Sequence, residues 1–228
     1  MDKLSFKSAD GKNISYYEFR PKSIIKGSII MAYEIFGFTS HIQSIAKEFA
    51  SEGYLVLVPD IFDRKKNNLV LEYNNNGKEQ GLSIKKELGY VYPVMDIIAC
   101  GSILKQDHNV GLIGYCYGGS LSWRCIQKSY LFDCAISYYG GDIHSFLEQP
   151  INCPVQLHFG MLDKSIPKEK IDDIKEFTNQ LLLEVELYQY KDSEHGFNCN
   201  DRISYNEQSA NLAKKRTLDF LNKYLKIE

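Results

Sequence analysis

The sequence predicts an α/β fold in which helices cover both faces of a mostly parallel central sheet. Two observations support this fold class: six apolar segments of strand length, and the amphipathic segments that separate them. The apolar segments are bounded by Gly, Pro or Asp and look buried on both faces, as strands inside a parallel sheet are. They lie at residues 28–33, 54–58, 109–113, 134–138, 155–159 and 185–190.

The intervening segments have the periodicity of amphipathic helices. Apolar residues at positions 42, 45, 46, 49 and 50 follow the spacing that places side chains on one helix face. Similar patterns occupy residues 91–105, 119–130, 168–182 and 205–225. In sheets of this kind the functional groups lie at the carboxyl ends of the strands. We therefore expect the functional residues directly after the apolar segments.

Two segments fall outside this alternation. Asp10-Gly11, between apolar residues 4–6 and 14–19, predicts an antiparallel hairpin with a two-residue turn. Residues 62–90 are rich in Lys, Glu and Asn and predict a long excursion over the edge of the sheet. Because long loops in compact domains are usually functional or disordered, we expect a partial cover over a substrate pocket.

Composition limits the classes of partner. The 228 residues are enough to bury a sizeable core, and we expect a single domain over 1–228. The net charge of −2 gives no electrostatic footprint for nucleic acid. No apolar segment is long enough to span a bilayer, and the first residues lack the profile of a secretory signal. We expect a cytoplasmic monomer or small homo-oligomer without membrane or nucleic-acid partners.

The six cysteines suggest neither a disulfide framework nor a metal site, because no CxxC pair and no Cys/His cluster at zinc spacing occurs. We expect free thiols, most of them small buried hydrophobic side chains. No metal and no cofactor is implied by any motif in the chain. One cysteine, Cys116, stands in a different setting.

Cys116 lies in the segment VGLIGYCYGG at residues 110–119, where an apolar strand is followed by G-x-C-x-G-G and a helical pattern. This is the pattern of a nucleophile elbow, with Gly114 and Gly118 giving clearance at a sharp strand-to-helix turn. The positive end of the following helix dipole favours the reactive thiolate. The alternative is a buried core cysteine in a glycine-rich turn, but the flanking strand and helix favour the elbow.

Asp163 and His195 complete a candidate catalytic triad. Asp163 follows the strand at 155–159, and His195 follows the strand at 185–190. Taken singly, they resemble a turn residue and a surface loop histidine. The order nucleophile, acid, histidine is nevertheless the chain order of the α/β-hydrolase triad. The pattern predicts Cys116 as nucleophile, His195 as base and Asp163 as the acid that holds the imidazole in one tautomer.

The same fold predicts where an oxyanion would be held. The backbone amide of Tyr117, directly after the nucleophile, is one donor, and the Ile35 amide in the loop after the strand at 28–33 is the second. Glu34 is then close by, where its charge would disfavour a thiolate; the alternative is an acid at a helix N-terminus. Tyr115 and Tyr138 are candidates for lining the substrate pocket, with packing as the equal alternative.

With these residues located, the sequence resembles the dienelactone hydrolase (carboxymethylenebutenolidase) family over nearly its whole length. The resemblance implies hydrolysis of a small-molecule ester or lactone without a cofactor. It also implies that Glu34 lies near the resting thiol and is displaced when substrate binds. Further matching motifs are PDIF at 59–62, YYG at 138–140, HFG at 158–160 and RTLDFL at 216–221.

The departures from the family concern its two arginines that grip a substrate carboxylate. One of them stands four residues after the histidine, where this chain has Cys199, and residues 65–92 hold no arginine for the other. The candidate replacements are Arg64, Lys85, Lys86 and Arg202. Because lysine offers a point charge in place of a bidentate fork, we expect a preference for an ester or lactone other than the carboxylate-bearing dienelactone.

Two alternatives to this function stay open at the level of sequence. The first is a thioesterase or carboxylesterase that acts on another acyl substrate. The second is a non-hydrolytic binding or redox-responsive protein that retains the fold, because a fold does not fix a function.

Overall fold

The computed structural model describes residues 2–225, which form one eight-stranded sheet in the order β1-β2-β4-β3-β5-β6-β7-β8. The strands are β1 Asp2–Lys7, β2 Asn13–Phe19, β3 Gly27–Ala32, β4 Tyr54–Pro59, β5 Val110–Tyr115, β6 Cys134–Tyr138, β7 Val155–Gly160 and β8 Val185–Tyr190. The helices are α1 Ser40–Ser51, α2 Asn75–Leu88, α3 Val91–Ser102, α4 Tyr117–Lys128, α5 Lys168–Thr178 and α6 Glu207–Tyr224, with a 3-10 turn at Ile143–Phe146.

The pairing of the strands confirms the predicted fold class. Strands β3 to β8 run parallel to one another, while β1 and β2 form an antiparallel hairpin that joins the sheet through β4. The chain passes from β3 to β4 on one side and then to β5 on the other, so the strand order reverses at β3. The crevice at the carboxyl ends of β3 and β5 is where folds of this kind bind ligands.

Helices cover both faces of the sheet. A Cβ built on Gly111 of β5 would contact Leu221 of α6, whereas one on Gly114 would contact Ser122 of α4. Residues 111 and 114 are three apart, so they face opposite sides of a strand. Helices α4 and α6 therefore lie on opposite faces, as the sequence predicts.

Two details of the predicted sheet are wrong. The hairpin connection is longer than a two-residue turn: β1 and β2 pair as far as Lys7 and Asn13, and Ser8 N then donates to Lys12 O at 2.8 Å. Gly11 supplies the left-handed residue of this longer loop, with φ of 82°. Strand β8 was expected to be buried on both faces, but it is the last strand of the sheet and is mostly half-buried.

The excursion predicted at 62–90 contains a helix, α2, that the sequence pattern does not indicate. Asn74 caps its first turn by accepting a hydrogen bond from Gly77 N at 2.8 Å. The side of α2 that faces the protein carries glycine in place of a large apolar residue, because a Cβ on Gly81 would overlap the Ile35 carbonyl oxygen. Helix α2 thus packs directly against the loop that follows β3.

Within residues 2–225, no helix is both long enough and apolar enough to cross a bilayer. The same residues contain no group of three His, Cys, Asp or Glu side chains placed to hold a metal ion. The expectation of one domain over 1–228 extends to Met1 and residues 226–228, which lie outside the described residues.

Candidate active site

Cys116 occupies a sharp turn between β5 and α4. Its backbone has φ of 55° and ψ of −115°, a conformation that residues with side chains rarely adopt. Hydrogen bonds from Cys116 N to Tyr138 O at 2.9 Å and from Gly118 N to Tyr33 O at 3.1 Å hold the turn in place. The glycines are required: a Cβ on Gly114 would overlap the Gly118 carbonyl, and one on Gly118 would overlap the Ala32 carbonyl at the end of β3.

The structure places the three predicted triad residues within hydrogen-bond distance of one another. His195 Nε2 lies 3.2 Å from Cys116 Sγ, and His195 Nδ1 lies 2.6 Å from Asp163 Oδ2. The second carboxylate oxygen, Oδ1, accepts hydrogen bonds from Ser165 N at 2.8 Å and from Ser165 Oγ at 2.5 Å. Ser165 therefore fixes the carboxylate that orients the imidazole, a role that sequence analysis missed.

The groups around His195 favour its protonated form. Burial lowers the pKa of His195, but the charge of Cys116 and the hydrogen bond with Asp163 more than offset this and raise it to about 10. Burial likewise acts to raise the pKa of Asp163, while hydrogen bonds from His195 and Ser165 hold it below its ordinary value. An imidazolium between a carboxylate and a sulfur is the arrangement that stabilises a thiolate nucleophile.

The two expected oxyanion donors lie beside the thiol. Ile35 and Tyr117 both line the cavity that contains Cys116. Within residues 2–225, neither backbone amide donates a hydrogen bond to another residue. Tyr117 N is also the first amide of α4, where helix amides lack an intrahelical acceptor. Both amides are thus available to an oxyanion formed at the thiol.

Glu34 is completely buried and belongs to a cluster of polar side chains. Its Oε1 accepts a hydrogen bond from Arg202 Nη1 at 3.2 Å, and its Oε2 accepts one from Tyr73 OH at 3.0 Å. The guanidinium of Arg202 lies over the Phe36 ring at 5.6 Å from its centre, and the Arg202 side chain is 20% exposed. The alternative role of Glu34 as an acid at a helix N-terminus is wrong, because α1 begins only at Ser40.

A cavity of about 430 Å³ opens above the thiol, within the size range of small-molecule sites. Leu82 and Phe36 give it an apolar wall. Within residues 62–90, which were predicted to cover a substrate pocket, three residues of α2 form part of the cavity lining. The cations among its lining residues are Lys78, Lys85, Lys164, Lys170 and Arg202.

Two of the proposed substrate cations line the cavity. Arg202 reaches it from the loop after β8, although it lies seven residues after His195 instead of four. Lys85 lines it too, but forms an ion pair with Asp142, which also accepts a hydrogen bond from Tyr90 OH. Lys78 was missed; the signal was its spacing of seven residues from Lys85, which places both on one face of α2.

The other proposed substrate residues do not line the cavity. The guanidinium of Arg64 is held by Asp96 at 2.7 Å and by Asp10 at 2.8 Å, in a network that ties the β1–β2 loop to α3. Lys86 is exposed on α2 and points away from the cavity. These two predictions are wrong, because one side chain is occupied elsewhere and the other lies on the outer face of its helix.

Tyr115 and Tyr138 are packing residues. Both are buried, and their rings stack at 4.8 Å. The hydroxyl of Tyr138 lies 2.7 Å from Thr217 Oγ1, on the side of α6. Neither lines the cavity above the thiol. The structure therefore supports packing, and not lining of the substrate pocket, for both tyrosines.

The strand order, the reversal at β3 and the turn after β5 define an α/β-hydrolase. Comparison with known proteins agrees with this class. A candidate dienelactone hydrolase from Klebsiella pneumoniae superposes with a TM-score of 0.81 at 23% identity, covering 98% of this chain and 100% of the other. This structural likeness shows the fold.

The chain belongs to the dienelactone hydrolase family, whose model matches residues 14–225. A candidate carboxymethylenebutenolidase from Synechocystis sp. is 29% identical over 197 residues, which cover 80% of each chain. The carboxymethylenebutenolidase of Pseudomonas putida is 27% identical over 226 residues, covering 96% of this chain and 94% of its own. The protein is therefore a hydrolase that acts on esters or lactones.

Proposed function

We propose that this hydrolase cleaves small esters or lactones through an acyl-enzyme formed on Cys116. The observation that supports this is the continuous line of hydrogen-bond distances from Cys116 Sγ through His195 to Asp163. A nucleophile, a base and a group that orients the base, at the mouth of a cavity, are the parts that acyl transfer requires.

In the first step the thiolate of Cys116 attacks the ester carbonyl carbon, and a carbon–sulfur bond forms. The carbonyl electron pair moves onto oxygen, where the amides of Ile35 and Tyr117 stabilise the charge. When the pair returns, the bond to the leaving oxygen breaks. The departing alkoxide or enolate takes the proton from His195 Nε2, which leaves a neutral imidazole beside a thioester.

The second step uses the change in charge that the first step causes. A thioester is uncharged, so the charge of Cys116 that raises the pKa of His195 is absent from the acyl-enzyme. The imidazole can then accept a proton from water as the water oxygen attacks the thioester. Collapse breaks the carbon–sulfur bond, releases the carboxylic acid and restores the thiolate and imidazolium.

We further propose that the preferred substrates carry an anionic group that binds Arg202 and Lys78. The sequence-based expectation that the carboxylate-bearing dienelactone is not preferred rested on the missing arginines, but Arg202 lines the cavity from a different position in the sequence. A carboxylate that binds Arg202 competes with Glu34 for the same guanidinium. Substrate binding would thereby release Glu34, in agreement with the displacement that the family resemblance implies.

Hydrolysis of p-nitrophenyl acetate by Cys116→Ala tests the central proposal, with Cys125→Ala as the matched control. Cys125 is a fully buried thiol on α4, nine residues after Cys116. We expect Cys116→Ala to be folded and inactive, and Cys125→Ala to retain kcat with a lower Tm. A folded Cys116→Ala protein with wild-type activity would refute the mechanism.

A further inference from the structure

Tyr139, which directly follows β6, combines three costly features. Its side chain is completely buried, and its backbone lies in the left-handed region with φ of 40°. Its hydroxyl has no hydrogen-bond partner among the described residues. Native structures rarely leave a buried polar group unsatisfied, and such outliers concentrate at functional sites.

The ring of Tyr139 packs beside the catalytic base. Its ring centroid lies 5.0 Å from that of His195 and 5.6 Å from that of Phe197. Burial raises the pKa of Tyr139 well above its ordinary value; the charge of Glu34 raises it further, whereas that of Arg202 opposes the shift. The Tyr139 hydroxyl is thus within electrostatic range of both partners of the ion pair, although it is bonded to neither.

Glu34 will need another hydrogen-bond donor when an anionic substrate binds. In the free enzyme Arg202 donates a hydrogen bond to one carboxylate oxygen of Glu34, and Tyr73 donates one to the other. A substrate anion that holds Arg202 removes the donor to Oε1. Because Glu34 is completely buried, water does not replace that donor freely, and a buried carboxylate oxygen without a partner is strongly disfavoured.

We propose that Tyr139 is a positioning residue that supplies this donor: its hydroxyl donates to the Glu34 carboxylate while the substrate anion holds Arg202. This inference rests on the proposed function, and in particular on an anionic substrate. The hydroxyl is unsatisfied in the free enzyme and satisfied in the complex. Tyr139 therefore lowers the free-energy cost of moving Arg202 from Glu34 to the substrate anion.

The variant Tyr139→Phe tests this with two probes, mono-p-nitrophenyl succinate and its methyl ester. The two esters share an acyl chain and a leaving group, and only the first can draw Arg202 away from Glu34. We expect the anionic-to-neutral ratio of kcat/KM to fall about tenfold in Tyr139→Phe, the scale of a hydrogen bond to a charged group. The Tm of the free variant should be equal to or above that of the wild type, because the removed hydroxyl has no partner.

Tyr138→Phe is the matched control, since this neighbouring hydroxyl is bonded to Thr217 Oγ1 at 2.7 Å. We expect that control to lower Tm and leave the ratio unchanged. In a Glu34→Gln background, which removes the charge to be stabilised, Tyr139→Phe should change the ratio by less than twofold. A persistent tenfold fall in that background would assign the hydroxyl to some other partner and overturn the inference.

Other outcomes separate this inference from the proposed function. An unchanged ratio in Tyr139→Phe, or equal losses for both esters, overturns the role of Tyr139 alone. A wild-type enzyme that hydrolyses the methyl ester but not the anion also overturns it, because nothing would then displace Arg202. If wild-type and Cys116→Ala proteins hydrolyse both esters equally, the proposed function itself fails.

Discussion

Replacing Asp163 by Asn should trap His195 in the wrong tautomer, and the structure shows why. Ser165 N donates to the Oδ1 position at 2.8 Å, so that position must stay an oxygen in the variant. The new amide nitrogen then faces His195 Nδ1, which must accept a hydrogen bond. A neutral imidazole of this kind carries its proton on Nε2, facing Cys116, and cannot accept the thiol proton.

The size of the loss in kcat depends on how much reactivity a cysteine keeps without a correctly oriented base. In serine triads the same change costs about 10⁴-fold in kcat. A cysteine is less dependent on its base, because a few per cent is thiolate at neutral pH even without help. We therefore expect kcat of Asp163→Asn to fall by about 10²–10⁴-fold, with the fold intact because the substitution preserves shape.

Stopped-flow measurement of p-nitrophenol release resolves the acylation burst from the steady state, and both rates should fall in Asp163→Asn. The matched controls are Asp192→Asn and Glu194→Gln, two other acids in the loop that carries His195. Both should stay within about twofold of wild type. If Asp163→Asn remains within tenfold of wild type while either control loses the burst, the orienting acid has been assigned to the wrong residue.

Four further outcomes are expected. Cys116→Ser should lose most of its activity, since a hydroxyl needs stronger base assistance than a thiol; near-normal kcat would contradict the thiolate mechanism. Glu34→Gln should alter the rate of iodoacetamide alkylation of the free enzyme, and identical rates at all pH values would show that Glu34 does not influence the thiol. Arg202→Gln should lower kcat/KM for mono-p-nitrophenyl succinate roughly tenfold or more, whereas Lys86→Gln on the outer face of α2 should not. Because the pKa of His195 is raised from 6.5 to about 10, its contribution to stability is complete below pH 6.5 and lost as pH rises through about 10; the Tm should fall over that upper range, and a Tm that stays constant through it would refute this.

The placement of the candidate triad could be predicted from sequence because parallel strands bring their carboxyl ends to one edge of the sheet. Cys116, Asp163 and His195 each follow a strand, so their chain order and spacing were enough to place them together. Distances of 3.2 Å and 2.6 Å agree with that prediction. The elbow was equally readable, because its two glycines are dictated by backbone contacts within the motif itself.

The cations that line the cavity could be predicted only in part. Arg64 follows the PDIF motif closely in sequence, yet its partners are Asp10 and Asp96, which lie 54 and 32 residues away. No pattern in the sequence near Arg64 indicates such long-range ion pairs. Helix α2 could not be predicted for a related reason: an amphipathic helix is recognised by apolar residues on its packed face, whereas here Gly81 allows close contact with backbone.

The distribution of the thiols allows the active sites in a sample of this protein to be counted by chemical labelling. Of the six free cysteines, Cys116 is partly exposed and the other five are buried, and burial raises the pKa of each of those five. A brief exposure to a small electrophile should therefore modify one position per chain. Intact mass spectrometry of such a sample would report the fraction of molecules with a competent nucleophile, without any knowledge of the natural substrate. The same selectivity would let a fluorescent or affinity-tagged electrophile mark this enzyme among other proteins.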